Sequence, residues 1–200
     1  MTARSVERRG SRVKRRRPVV RGRPDPRPLT LDSRLRRIRA LLCDVDGVLT
    51  DGTIFIGGET EIKAFSIQDG MGLTLLRRSG IKVGWISHRP SAATARRAAE
   101  LKIDFLHQAS SGKVPAINAI LEQSGLSWDE ICYVGDDLLD LGALKRAGVA
   151  VAVSNGAVEA RAVADYVTQS PGGRGAVRET AELILKAQHK WDRLLTDCEA

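Results

Sequence analysis

Residues 40–50 read ALLCDVDGVLT, so four apolar residues run directly into Asp44, Val45, Asp46 and Gly47. A short apolar run without alternation suits a strand covered on both faces, and the acidic turn that follows puts carboxylates at the carboxyl edge of a sheet. The pattern recurs. Residues 82–86 lead into Ser87-His88-Arg89, residues 131–134 lead into Gly135-Asp136-Asp137, and residues 149–153 and 166–168 are further apolar runs of strand length. Between them, residues 71–79, 92–101, 113–124, 138–147, 158–164 and 175–189 carry helical patterning. Gly80, Gly125 and Gly148 follow three of these stretches, where left-handed helix caps are expected. Strands alternating with helices specify an α/β fold built on a parallel sheet.

One segment departs from this rhythm. Residues 53–56 and 60–67 flank Gly57-Gly58-Glu59 and read as a β-hairpin around a glycine turn. Ile54, Phe55, Ile56, Ile62 and Phe65 make it too apolar for a free two-stranded ribbon, which is marginal on its own. The ribbon needs a partner surface, either its own core or copies of itself.

The chain has 200 residues, 42% of them apolar, enough for one domain with a sizeable core plus an appendage. Its net charge of +8 is unevenly spread: residues 1–40 hold 15 Lys/Arg against 3 Asp/Glu, leaving the remainder acidic. The reading is therefore a basic disordered N-terminal tail over residues 1–36, a globular domain over 37–190 and a C-terminal tail over 191–200. The basic arm can attract nucleic acid or an anionic surface by charge alone, but it lacks the aromatic interleaving of single-strand binders, so a plain solvated extension is expected. No apolar run approaches the ~20 residues of a membrane span and no secretory signal pattern opens the chain, so no membrane association and a cytoplasmic location are expected. Cys43, Cys132 and Cys198 have no metal-ligand spacing and read as reduced thiols.

The chemistry gathers where the strands end. In an open parallel sheet ligands bind at the carboxyl ends of the strands, so Asp44, Asp46, Ser87, Asp136 and Lys113, which opens the helix at 113–124, converge on one crevice. Crowding Asp44, Asp46 and Asp136 together is costly without a cation, and hard carboxylate oxygens suit Mg²⁺ together with a phosphate ligand. A lone Asp-x-Asp-Gly is often only a turn. The conjunction of four segments is more specific.

In order and spacing these segments resemble the haloacid dehalogenase-like phosphatases, over residues 38–189. The resemblance narrows to the branch of 3-deoxy-D-manno-octulosonate 8-phosphate phosphatases through DVDGVLTDG (44–52), Lys63-Ala64-Phe65 with Asp69-Gly70, RAAEL (97–101), YVGDD (133–137), ADYVT (164–168) and GGRGAVRE (172–179). It implies a Rossmann-like three-layer sandwich with a protruding β-hairpin and no separate cap domain. It also implies Asp44 as nucleophile through an aspartyl-phosphate, Asp46 as general acid and base, Ser87 and Lys113 on the phosphate, and Mg²⁺ held by Asp44, the carbonyl of Asp46 and Asp136. Asp137 is expected to support the metal's waters or Lys113.

For the carboxylate of a sugar acid phosphate the candidates are Lys63, Arg89, Arg174 and Arg178, with Gly172, Gly173 and Gly175 letting a loop close over the sugar. The resemblance further implies a homotetramer in which four hairpins form a small barrel and neighbours complete each site. Two alternatives stay open: a nine-carbon ketoacid 9-phosphate as substrate, and a binding module acting through the basic tail. Ser87-His88-Arg89 departs from the family's usual Thr-Gly-Arg; the serine keeps the hydroxyl, while His88 either narrows the pocket or points to solvent. His107 and His189 read as surface or helix-end residues.

Overall fold

The computed structural model describes residues 30–58, 60–108 and 112–199. In chain order its elements begin with α1 (Leu31–Leu35), β1 (Ala40–Cys43), the hairpin strands β2 (Phe55–Gly57) and β3 (Thr60–Ile62), α2 (Ile67–Arg78), β4 (Lys82–Ile86), α3 (Ala92–Glu100) and β5 (Phe105–His107). They continue with α4 (Lys113–Ser124), β6 (Ile131–Gly135), α5 (Leu141–Leu144), β7 (Val149–Ala152), α6 (Val158–Val163), β8 (Tyr166–Val167), α7 (Ala176–Ala187) and α8 (Trp191–Glu199).

Six strands form one parallel sheet in the order β5-β4-β1-β6-β7-β8. Both central faces are covered, which is why β1 is buried at all four positions. Leu41 and Cys43 face a core built with Leu73, Leu76, Val177, Ala181 and Ile184 of α2 and α7. Ala40 and Leu42 face the opposite core, with Ile117 and Ile120 of α4 and Leu144 of α5. The result is the expected three-layer α/β sandwich. After β1 the chain builds outward through β4 and β5, then crosses back to place β6 on the other side of β1, so the strand order reverses at β1. Cys43 pairs with Trp85 and Val134, which brings the residues just beyond these strands to one level. That level is the natural ligand crevice of such a sheet.

Among the described residues the only excursion between β1 and α2 is the antiparallel hairpin, with Phe55 opposite Ile62. Its base is anchored by Phe65, which stacks on the buried Trp85 at a centroid separation of 6.0 Å. Asp69 ties α2 to α7. Its buried carboxylate accepts from the amides of Gly175 (3.2 Å) and Arg178 (2.7 Å), donors at the start of α7 that have no partner within the helix. Gly72 allows the two helices to approach, since a Cβ there would press on the Arg178 backbone at 3.0 Å.

Several expectations from sequence change. The ordered body starts before residue 37, because α1 lies within the stretch assigned to the tail and buries Leu35. The stretch assigned to a C-terminal tail, 191–200, is helical over Trp191–Glu199: α8 brings Trp191 against the core and beneath the Arg178 guanidinium. The tail at residues 1–29 lies outside the described residues. β5 was not anticipated, and the helix expected over 138–147 is a 3₁₀ turn at Leu138–Asp140 followed by the short α5. Gly80 and Gly125 take the left-handed conformation, but Gly148 does not. A side chain at Gly148 would instead collide with the Asp129 carbonyl.

Asp69→Ala should lower stability by about 2–3 kcal/mol, because one buried and one half-buried amide lose their acceptor. Urea denaturation monitored by circular dichroism measures this, and an unchanged midpoint would show that the contact contributes nothing.

Candidate active site

Asp44 follows β1 and Asp136 follows β6, and both line a cavity of about 190 Å³ with Asp46, Ser87, His88, Arg89, Lys113, Asp137, Leu139 and Asp140. Gly47 makes this approach possible. It sits at φ +97°, and a Cβ on it would overlap the Asp136 carboxylate. Thr50 fastens the turn, its hydroxyl accepting from the amides of Gly47 and Gly52, both at 3.3 Å.

Lys113, at the first turn of α4, is buried and donates to Asp44 Oδ1 and to the Ile86 carbonyl (2.6 Å). Its ammonium also lies 3.5 Å from Asp140 Oδ1. Asp140 escaped the sequence reading, although its place four residues after Asp136 carried the signal. It is buried, and all its acceptor capacity is directed at holding the site: Oδ1 accepts from the Tyr133 hydroxyl (2.6 Å), and Oδ2 accepts from the amides of Asp136 (2.9 Å) and Asp137 (3.2 Å). Asp137 itself is exposed and accepts from the Leu138 amide at 2.7 Å. The support of Lys113 expected from Asp137 therefore comes from Asp140.

A second lysine enters from the hairpin side. Lys63 has no exposed side-chain surface, and its ammonium lies 2.6 Å from Asp46 Oδ1 and 3.5 Å from the Thr94 hydroxyl. Asp46 Oδ2 faces the Ser87 hydroxyl at 3.5 Å. Arg89 pairs with Glu61 of β3 at 2.5 Å, and Glu61 also accepts from the Ser91 hydroxyl. His88 is half-buried and is among the residues that line the cavity.

The remaining substrate candidates sit apart from this cavity. Arg178 donates to Glu182 at 2.8 Å and lies over Trp191, so in this chain it faces α8. Arg174 is 73% exposed with only a 3.9 Å approach to Asp51. The glycines before it do not provide a free hinge. Cβ atoms at Gly172 and Gly173 would strike the backbone of residues 47–51, and the Gly173 amide donates to the Val48 carbonyl at 2.8 Å. These glycines seat the loop against the turn at residues 47–51.

The electrostatics of the cluster call for a cation. Four carboxylates, Asp44, Asp46, Asp136 and Asp140, meet two ammonium groups, Lys63 and Lys113, so full ionisation would leave an excess of two negative charges. Burial pushes Asp44 up from 3.8 to about 6 despite Lys113, and burial together with Asp44 and Asp140 pushes Asp136 up to about 8. Oxygens of Asp44, Asp136 and Asp140 lie within 4.8 Å of one another. Asp136 Oδ1 is buried with no hydrogen-bond partner among the described residues. An orphaned carboxylate oxygen in an acidic cluster with a charge deficit of two fits a hard divalent cation such as Mg²⁺. Asp140 is already engaged by Tyr133, Lys113 and two backbone amides, so Asp44 and Asp136 are the side chains better placed to hold it.

Comparison with known proteins agrees with this geometry. The family model for haloacid dehalogenase-like hydrolases matches residues 85–178. The chain is 40% identical over 168 residues to the 3-deoxy-D-manno-octulosonate 8-phosphate phosphatase of Escherichia coli K12, covering 82% of this chain and 89% of that protein. The corresponding enzyme of Moraxella catarrhalis, solved with magnesium, phosphate and a KDO molecule, is 43% identical with a TM-score of 0.81, covering 83% of this chain and 96% of that one. That of Yersinia pestis is 40% identical with a TM-score of 0.80, covering 81% and 88%.

Asp44 and Asp136 hold protons more tightly in the fold than the ordinary 3.8 of an unfolded aspartate allows. The metal-free protein should therefore lose stability as pH rises from about 4 through 6 and 8, because the native state binds more protons than the unfolded chain over that span. Mg²⁺ competes with those protons, so its affinity should rise with pH, by up to about tenfold per unit for each proton released. Calorimetric titration at pH 6, 7 and 8 tests this, and an affinity that falls with pH would refute the assignment of the cation to these two carboxylates.

Proposed function

This chain belongs to the 3-deoxy-D-manno-octulosonate 8-phosphate phosphatases, a branch of the haloacid dehalogenase-like hydrolases, and on that premise we propose how its carboxylate cluster hydrolyses the phosphate ester of that eight-carbon sugar acid. The activity is that of a Mg²⁺-dependent phosphoric monoester hydrolase, and the free sugar acid it releases is a lipopolysaccharide precursor. The observation that carries the reading is Asp44. It sits at the end of the central strand, paired with a buried lysine and facing a second carboxylate with an unpartnered oxygen.

Asp44 attacks phosphorus in line, forming an aspartyl-phosphate while the bond to the sugar oxygen breaks. Lys113 keeps the Asp44 carboxylate oriented and offers positive charge to the phosphoryl oxygens, where nearly all protein catalysis of phosphoryl transfer acts. Ser87 donates a hydrogen bond to the same group. Asp46 gives a proton to the departing sugar oxygen and then takes one from the water that hydrolyses the intermediate. Asp140 holds Lys113 and the backbone of Asp136 in place. Asp44, Asp136 and the Asp46 carbonyl would hold Mg²⁺, which would supply the positive charge that this acidic site lacks for a dianionic substrate.

At the other end of the substrate, Arg174 is the cation for the sugar carboxylate, because it is the least committed of the four candidates, while Lys63, Arg89 and Arg178 are held by Asp46, Glu61 and Glu182. A guanidinium suits this contact because it binds a carboxylate bidentately. The hairpin gives the assembly. Phe55, Ile56 and Ile62 are 58%, 77% and 61% exposed, a surface that a second hairpin covers in a homotetramer.

Asp44→Asn should cut phosphate release from the octulosonate phosphate by at least about a thousandfold with the fold retained, since one amide replaces the attacking oxygen in nearly the same volume. Turnover close to that of the unaltered protein would remove Asp44 as nucleophile. A second outcome concerns the hairpin: light scattering should report a tetramer for the unaltered protein and a smaller species for Ile56→Glu, and a monomer in both would remove the hairpin barrel.

A further inference from the structure

Lys63 has a task that a substrate-binding lysine would not have. Its ammonium is enclosed by Asp46 Oδ1 at 2.6 Å, the Thr94 hydroxyl at 3.5 Å and Glu61 at 3.7 Å, with no exposed side-chain surface. Asp46 keeps 21% of its side-chain surface open, and its second oxygen, Oδ2, faces Ser87 and the cavity. One oxygen of the carboxylate is therefore held by the lysine and the other lies beside the Ser87 hydroxyl. Glu61, two residues before Lys63, is itself fixed by Arg89 and Ser91 from the loop between β4 and α3. The polar side of the hairpin is thus built into the Asp46 side of the site, while Phe55, Ile56 and Ile62 stay exposed.

We propose that Lys63 is a positioning residue for Asp46: it clamps Oδ1 so that Oδ2 is held where the sugar oxygen departs. In that step the P–O bond to the sugar breaks with its electron pair on the sugar oxygen, the Asp44–P bond forms, and the Oδ2 proton passes to the sugar oxygen. A carboxyl free to rotate would spend part of its time turned from that oxygen, and misplacement of a general acid forfeits part of the ~10²–10⁴-fold it contributes. The inference rests on the phosphatase reading and refines it, because it withdraws Lys63 from the sugar carboxylate and gives it to the proton donor.

Three esters separate the possibilities, compared by kcat/KM for the unaltered protein, Lys63→Met and Lys63→Arg. The octulosonate phosphate has an alkoxide leaving group and a carboxylate; ribose 5-phosphate has an alkoxide and no carboxylate; para-nitrophenyl phosphate has a leaving group that departs without a proton. Lys63→Met should lower kcat/KM by about tenfold or more on both sugar phosphates and by less than about threefold on the nitrophenyl ester, with Lys63→Arg recovering part of the loss. Loss confined to the octulosonate phosphate would overturn the proposal in favour of a contact to the sugar carboxylate. Equal loss on all three, or loss unrelieved by arginine, would overturn it in favour of a purely structural lysine. Absence of phosphate release by the unaltered protein would overturn the phosphatase reading and the inference with it.

Discussion

The structure turns on carboxylates that repel one another in a place with little water. Asp44 and Asp136 project from adjacent strands, Asp140 sits buried behind them, and the charge of Lys113 reaches only part of the cluster. Bringing like charges together out of water disfavours their ionised forms, which is why both Asp44 and Asp136 keep protons at unusually high pH in the absence of a cation. The surroundings look organised to tolerate this conflict rather than to relieve it. Gly47 gives Asp136 room, Tyr133 and two amides hold Asp140, and the Ile86 carbonyl fixes the ammonium of Lys113. A fold that spends its best-packed strands on such a cluster stores affinity for a divalent cation and a phosphate.

The same constraint explains the unusual backbone around the site. The loop carrying Gly172 and Gly173 lies so close to residues 47–51 that side chains would not fit, and its far end is tied through Gly175 and Arg178 to the buried Asp69. The turn that follows β1 is thereby braced by α2 and α7, with no cap domain among the described residues. From the opposite side the hairpin contributes Lys63 and Glu61, so two peripheral segments complete what the sheet begins. The same hairpin leaves its apolar side, Phe55, Ile56 and Ile62, exposed.

Much of this was legible in the residues. The apolar runs that end in Asp44, Ser87 and Asp136 carry both the parallel sheet and the crevice, since a strand buried on two faces and an acidic turn leave few other readings. Lys113 was legible from its place at a helix start. What the sequence hid depends on tertiary contact. β5 is a three-residue edge strand whose pairing with β4 carries no strong local pattern. Asp140 looks like a polar residue of an amphipathic turn until Tyr133 and the amides close on it. Lys63 is separated by seventeen residues from the aspartate it meets, and nothing in its local sequence distinguishes an ion pair within the site from a contact to substrate. The glycines at 172 and 173 read as flexibility because sequence reports absent side chains, not the backbone that fills the space.

The central claim is that Asp44 carries the phosphoryl group during turnover. Rapid acid quench of the Mg²⁺-loaded protein with the octulosonate phosphate, followed by peptide mass analysis, tests it directly. The account predicts one phosphoryl group on the peptide containing Asp44, released by hydroxylamine as expected of an acyl phosphate. Phosphate released at full rate with the label on another residue, or with none on Asp44 at any quench time within the first turnover, would contradict it.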